Sequence, residues 1–113
     1  MGYQVALSPS ARRDLRDIVR YISLDSPARA VTFGQFLVHN TKRLAEFPEL
    51  GRVVPELANS KIRELVVRSY RVIYRVDHAD CRVDVIRFWH GARGTPEIND
   101  VQQHFIGANR QLE

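Results

Sequence analysis

Tyr70-Arg71-Val72-Ile73-Tyr74-Arg75-Val76, followed after a short turn by Arg82-Val83-Asp84-Val85-Ile86-Arg87-Phe88-Trp89-His90-Gly91-Ala92-Arg93, is the stretch that decides the fold. It reads as two paired strands. Side chains alternate between the faces of a strand, so Tyr70, Val72, Tyr74 and Val76 share one face and Arg71, Ile73 and Arg75 the other. Phe88 and His90 likewise share a face, and Trp89 points the opposite way. A sheet with one apolar and one cationic face suits an anionic partner: an acidic peptide, an acidic protein surface or a nucleic acid.

Upstream, Ile62 to Val67 reads as the preceding strand, and Arg68-Ser69 turns the chain into the next one. Leu50 to Ser60, with Gly51 and Pro55, reads as a loop. At the N-terminus, Tyr3, Val5 and Leu7 mark a short strand over residues 2–7. Ser8-Pro9 then has the chemistry of a helix start, with serine as cap and proline at the first helical position. Ala11, Leu15, Ile18, Val19 and Ile22 follow at helical spacing as one apolar stripe. Arg12, Arg13, Arg16, Asp17 and Arg20 lie on the opposite face, where Arg13 and Asp17 are spaced to pair. Asp25-Ser26-Pro27 repeats the capping pattern and begins a second helix with Ala30, Phe33, Leu37, Thr41 and Leu44 toward the core, a face widened by Val31, Val38 and Ala45. Gly34 inside it costs helix stability, and a close approach of the two helices explains it. Pro48 ends the helix, and the short connection demands an antiparallel helical hairpin. Downstream, Gly91 and Gly94 end the last strand. Thr95-Pro96 then starts a short helix, about residues 96–106, carrying Ile98, Val101 and Phe105.

The order β-α-α-β-β-β-α predicts an α+β fold: a small, mostly antiparallel sheet packed against an N-terminal helical hairpin, in one domain over residues 1–113. A chain of 113 residues supports one core and is too short for two. It carries 17 Lys and Arg against 13 Asp and Glu, and its lysines are Lys42 and Lys61 alone. Arginine's rigid fork suits carboxylate and phosphate recognition; high-GC codon usage produces the same bias. Cys81 is the single cysteine, which excludes an internal disulfide and a multi-cysteine metal site. No apolar run approaches the length of a membrane span, so a soluble, cytoplasmic protein is expected. His39, His78 and His104 have no second ligand at metal spacing, so neither a metal nor another cofactor is expected.

The set Ser8-Pro9, Asp14-Leu15, Ile18, Tyr21-Ile22, Ser26-Pro27, Leu44, Phe47-Pro48, Gly51-Arg52-Val53-Val54-Pro55-Glu56-Leu57, Arg63-Glu64-Leu65, Tyr70 to Val76 and His90-Gly91-Ala92-Arg93 resembles the RelE/ParE superfamily of type II toxin–antitoxin toxins. The likeness runs from about Ser8 to Arg93 and is closer to the ParE, or plasmid-stabilisation, branch. It implies a toxin in a hetero-oligomer with a cognate antitoxin, whose tail folds along the hairpin and sheet. In the ParE branch the toxic act is poisoning of DNA gyrase. In the RelE branch it is cleavage of mRNA at the ribosome. A degenerate member would bind its antitoxin without toxicity.

Cleaving RNA through its 2′-hydroxyl requires a base, an acid and a cation near the phosphate. His90 or Glu64 is the candidate for proton transfer, Arg71, Arg63 and Arg93 for charge, and Tyr74 for positioning or donating. The residues favour none of them as catalytic: His90 reads as a cap on the strand end, and Glu64 as the partner of Arg71 or Arg75 across the hairpin. Arg63, Arg71 and Arg75 are the expected antitoxin-binding residues. Trp89, Arg93, Ile98, Val101 and Phe105 are the candidates for target contact, although core burial is the commoner fate of such a tryptophan. The basic face of Arg12, Arg13, Arg16 and Arg20 has the charge for nonspecific DNA contact, but, interleaved with Asp14 and Asp17, it reads as a solvated surface.

Overall fold

The serines before both prolines cap their helices. Ser8 Oγ accepts from the Ala11 N–H at 3.0 Å and Ser26 Oγ from the Arg29 N–H at 3.2 Å. With Pro9 and Pro27 at the first helical positions, they set α1 (Pro9–Ser23) and α2 (Pro27–Lys42). A 3₁₀ turn, Arg43–Ala45, closes α2 before Pro48. The computed structural model describes residues 2–98 apart from 58 and 60. No helix among them is long and apolar enough to cross a membrane.

Five strands form one sheet: β1 (Gln4–Leu7), β2 (Arg52–Val53), β3 (Ile62–Val67), β4 (Tyr70–Asp77) and β5 (Arg82–His90), in the order β1-β5-β4-β3-β2. β1 runs parallel to β5, and every other pair is antiparallel. The expected α+β arrangement of hairpin on sheet is present. β2 lies inside the segment expected to be all loop; two residues are too few to leave an alternation in the sequence. The helix expected over 96–106 does not begin where expected: residues 95–98 are not helical, and the remainder, with Val101 and Phe105, lies outside the described residues.

The hairpin covers one face of the sheet. Ala11, Ile18, Leu37 and Leu44 meet Val72, Tyr74, Val76, Val83, Val85 and Phe88, with Leu15, Ile22 and Phe33 packed alongside. A Cβ on Gly34 would sit 3.2 Å from Val19 Cγ2, so the helices approach closely there as expected. The other face is not a bare cationic surface. Val54, Ile62, Ile73, Ile86, Trp89 and Ile98 form a second apolar cluster upon it. A bulge explains how β5 serves both clusters. Ile73 pairs with Arg87 but Tyr74 with Val85, which leaves Ile86 as an extra residue. The extra residue shifts the alternation by one, so Val85 and Phe88 both face the hairpin while Ile86 and Trp89 face away.

Candidate functional site

On the face away from the hairpin, Glu64 organises a charge network. Its side chain is wholly buried, accepting from Arg52 Nε at 2.7 Å and from Arg71 Nε on its other oxygen. Arg71 then turns its two terminal nitrogens onto Glu56, at 3.0 and 2.8 Å. That fork–fork pair lowers the Glu56 pKa, and Glu56 first, with Glu64 adding, raises that of Arg71. The network fastens the turn after Val54 over the second cluster. It also confirms Arg71 as the cross-hairpin partner of Glu64.

The three arginines expected to bind one acidic partner do not share a face. Arg71 and Arg75 are on the second face, with Arg75 opposite Asp84 in the register. Arg63 pairs with Tyr74 and so lies on the hairpin side. It donates to the Gly51 carbonyl at 2.9 Å and approaches Glu49 at 3.6 Å. The Tyr74 hydroxyl accepts from the Gly51 N–H at 2.9 Å. Gly51 is held so tightly that a Cβ would overlap the Glu64 carbonyl oxygen and come within 2.8 Å of the Tyr74 hydroxyl.

The sheet separates the two candidates for proton transfer. Glu64 is opposite Ile73 on the second face, whereas His90 pairs with Tyr70 and lies on the hairpin side. The His90 ring meets Tyr70 edge-on at 5.0 Å. Its Nδ1 accepts from the Ala92 N–H at 3.1 Å, which caps the 3₁₀ turn Gly91–Arg93. A neutral ring in this arrangement carries its proton on Nε2. Burial raises the Tyr74 pKa, its largest influence. Among the described residues no group of three or more His, Cys, Asp or Glu side chains is placed to hold a metal ion.

Of the target-contact candidates, Trp89 and Ile98 belong to the second cluster and are buried. The Trp89 indole N–H donates to the Gly94 carbonyl at 3.1 Å, and the Arg93 guanidinium stacks on the ring at 3.8 Å. The segment after β5 thus folds back on the sheet.

Two features escaped the sequence reading. Asp14 leaves the exposed side of α1 and takes a fork–fork pair from Arg87 at 2.7 and 2.9 Å, together with the Phe88 N–H at 3.0 Å. β1 stops pairing at Leu7, so Phe88 would otherwise present an unmet N–H at the sheet edge. The second is apolar surface on the hairpin. Leu15, Val19, Val31, Gly34 and Val38 line a groove between α1 and α2. Ile22, Phe33 and Phe36 line another beside Arg68, whose guanidinium lies 4.5 Å over the Phe36 ring. Val31 and Phe36 leave apolar side chains at the surface of the hairpin. The amphipathic stripe had hinted at α1 burial, but Val31, expected to widen the core face of α2, is instead 58% exposed, and Phe36 also lies outside.

Residues 5–94 match the family model of the ParE toxin of the type II toxin–antitoxin system parDE. Toxin RelE2 of Caulobacter vibrioides is 40% identical over 91 residues, covering 80% of this chain and 97% of that protein. Among solved structures, the chromosomal ParDE system of P. aeruginosa superposes with a TM-score of 0.64 at 21% identity, over 78% of this chain and 95% of the other. The RelBE2 toxin–antitoxin complex of Mycobacterium tuberculosis gives 0.53 at 24% identity, over 80% and 92%. A mutant of E. coli toxin RelE in the free state gives 0.60 at 18% identity, over the full length of both chains. Hairpin, sheet and sequence agree: this chain belongs to the ParE toxin family of type II toxin–antitoxin systems, within the RelE/ParE superfamily.

Proposed function

We propose that this toxin is held in a cytoplasmic hetero-oligomer by a cognate antitoxin laid along the hairpin grooves and the sheet edge, and that on release it inhibits DNA gyrase. Solved relatives that include toxin–antitoxin assemblies support the antitoxin, and the exposed apolar grooves supply a surface for it. An antitoxin that passes round the sheet edge meets Arg63 on the hairpin side and Arg71 and Arg75 on the second face; at Arg71 its carboxylate must displace Glu56, whose side chain is one-third exposed. Arg93, in the 3₁₀ turn after β5, is the proposed target contact.

One observation favours protein binding over RNA cleavage. Glu64 and His90 lie on opposite faces of the sheet, and each is already engaged. As an acid–base pair these two would have to reach one phosphate together, and the sheet between them prevents it. Purified toxin should therefore inhibit supercoiling by gyrase and leave mRNA on translating ribosomes intact, with the antitoxin reversing the inhibition. Ribosome-dependent cleavage in place of gyrase inhibition would establish the endonuclease. Inactivity in both assays, with antitoxin binding intact, would establish a degenerate member.

A further inference from the structure

We propose that the outer side of α1 is a contact surface for the phosphate backbone of duplex DNA, made by Arg12, Arg16 and Arg20. The three recur every four residues, so they form one row about 12 Å long on a rigid helix. All three residues are exposed. The Arg16 and Arg20 side chains have no hydrogen-bond or ion-pair partner among the described residues, and the Arg12 side chain gives only its Nε–H to the Leu7 carbonyl, at 3.3 Å. Other arginines are held by a partner: Arg13 and Arg43 by the side chains of Ser10 and Asn40, Arg68 and Arg93 by the rings of Phe36 and Trp89. Arg29, Arg52, Arg63, Arg71, Arg82 and Arg87 each sit against a carboxylate.

Asp14 is what changes the character of this surface. In the sequence it interleaves with the arginines and balances them. In the fold it is drawn inward by Arg87 and the Phe88 N–H, and it no longer neutralises the outer face. Asp17 remains as the exposed acid of α1, on the flank of the row. The formal net charge of +4 adds a long-range attraction to polyanions. A straight, fixed row of guanidiniums suits the regular phosphates of a duplex. Single-strand binding instead interleaves aromatics as stacking platforms; the row contains none, and the exposed aromatic of α1, Tyr21, lies on the flank with Asp17.

The test uses the full-length protein and a fluorescent duplex of arbitrary sequence, with binding followed by anisotropy across a salt series. Each neutralised phosphate contributes about −0.9 to the slope of log affinity against log salt, so three contacts give a slope of about −3. The double variant Arg16→Gln/Arg20→Gln should reduce the steepness by about 2. Arg16→Lys/Arg20→Lys keeps both charges and should retain the slope, which separates loss of charge from loss of helix. Arg29→Gln/Lys61→Gln removes the same charge elsewhere and should leave the slope nearly unchanged. The proposal is overturned by absence of duplex binding at low salt, or by equal losses in the two glutamine pairs. It is also overturned if a single-stranded RNA of equal length binds more tightly than the duplex. An unchanged slope accompanied by weaker antitoxin binding would reassign the row to a protein partner. The outcome does not depend on whether gyrase is the target, since only toxin and DNA are present.

Discussion

Replacing Arg71 by alanine should cost this protein more than any exposed arginine would. Its side chain is 14% exposed and that of Glu64 is 0% exposed. Without Arg71 the Glu64 carboxylate remains buried with Arg52 alone, whose side chain is 67% exposed. A solvent-screened pair of that kind contributes about 1 kcal/mol at most. Removing one member of a buried ion pair costs about 3–5 kcal/mol, and the surviving Arg52 contact places Arg71→Ala near the lower end, about 3 kcal/mol. For 113 residues the unfolding entropy is about 0.24 kcal/mol/K, so this corresponds to a fall in Tm of about 13 °C. Urea unfolding at neutral pH and thermal melts, both followed by circular dichroism, measure it. The companion variant Glu64→Leu/Arg71→Met leaves no charge on that buried pair and should recover most of the loss. A loss below about 1 kcal/mol for Arg71→Ala, or a double variant no more stable than the single one, would refute the reasoning by showing that the network behaves as a surface pair. Antitoxin titrations of Arg71→Ala must accordingly be made where the variant is fully folded.

Gly51→Ala should destabilise the fold by at least about 2 kcal/mol, because the methyl group has no room between the Glu64 carbonyl and the Tyr74 hydroxyl; an unchanged urea midpoint would contradict that fit. His90→Ala should retain toxicity in a growth assay and lose about 1 kcal/mol of stability with its cap on Ala92. A catalytic histidine would instead cost a hundred-fold or more in rate, so abolished toxicity in a folded His90→Ala protein would reverse the functional choice. Burial raises the Asp84 pKa against the opposing pull of Arg82. Between the ordinary carboxylate range and that raised value the folded state holds more protons than the unfolded one. Asp84 therefore favours folding more as pH falls through this window. Urea midpoints across the acid range should show wild type gaining on Asp84→Asn as the pH is lowered, and a constant difference would show that Asp84 titrates alike in both states.

The elements were legible wherever their causes are local. Ser8-Pro9 and Ser26-Pro27 announce their helices because a cap and a proline act within one turn. The alternation from Tyr70 to Val76 announces β4 because period two is a property of the strand itself. The ordered motifs from Ser8 to Arg93 were sufficient to point to the toxin family. What depended on the tertiary structure was the choice of partners. Asp14 and Arg87 stand 73 residues apart, and only the ending of β1 at Leu7 presents the edge N–H that draws Asp14 inward. The bulge at Ile86 turns Trp89 into the second cluster, and the return of the turn after Val54 sets Glu56 on Arg71. Arg63 and Arg71 look equivalent in a strand alternation, yet the register sends them to opposite faces. Local spacing decides helix, strand and turn because each is stabilised within a few residues. The neutralisation of a charge is decided by whatever carboxylate register and chain reversal deliver to it, and a one-dimensional pattern carries no record of that.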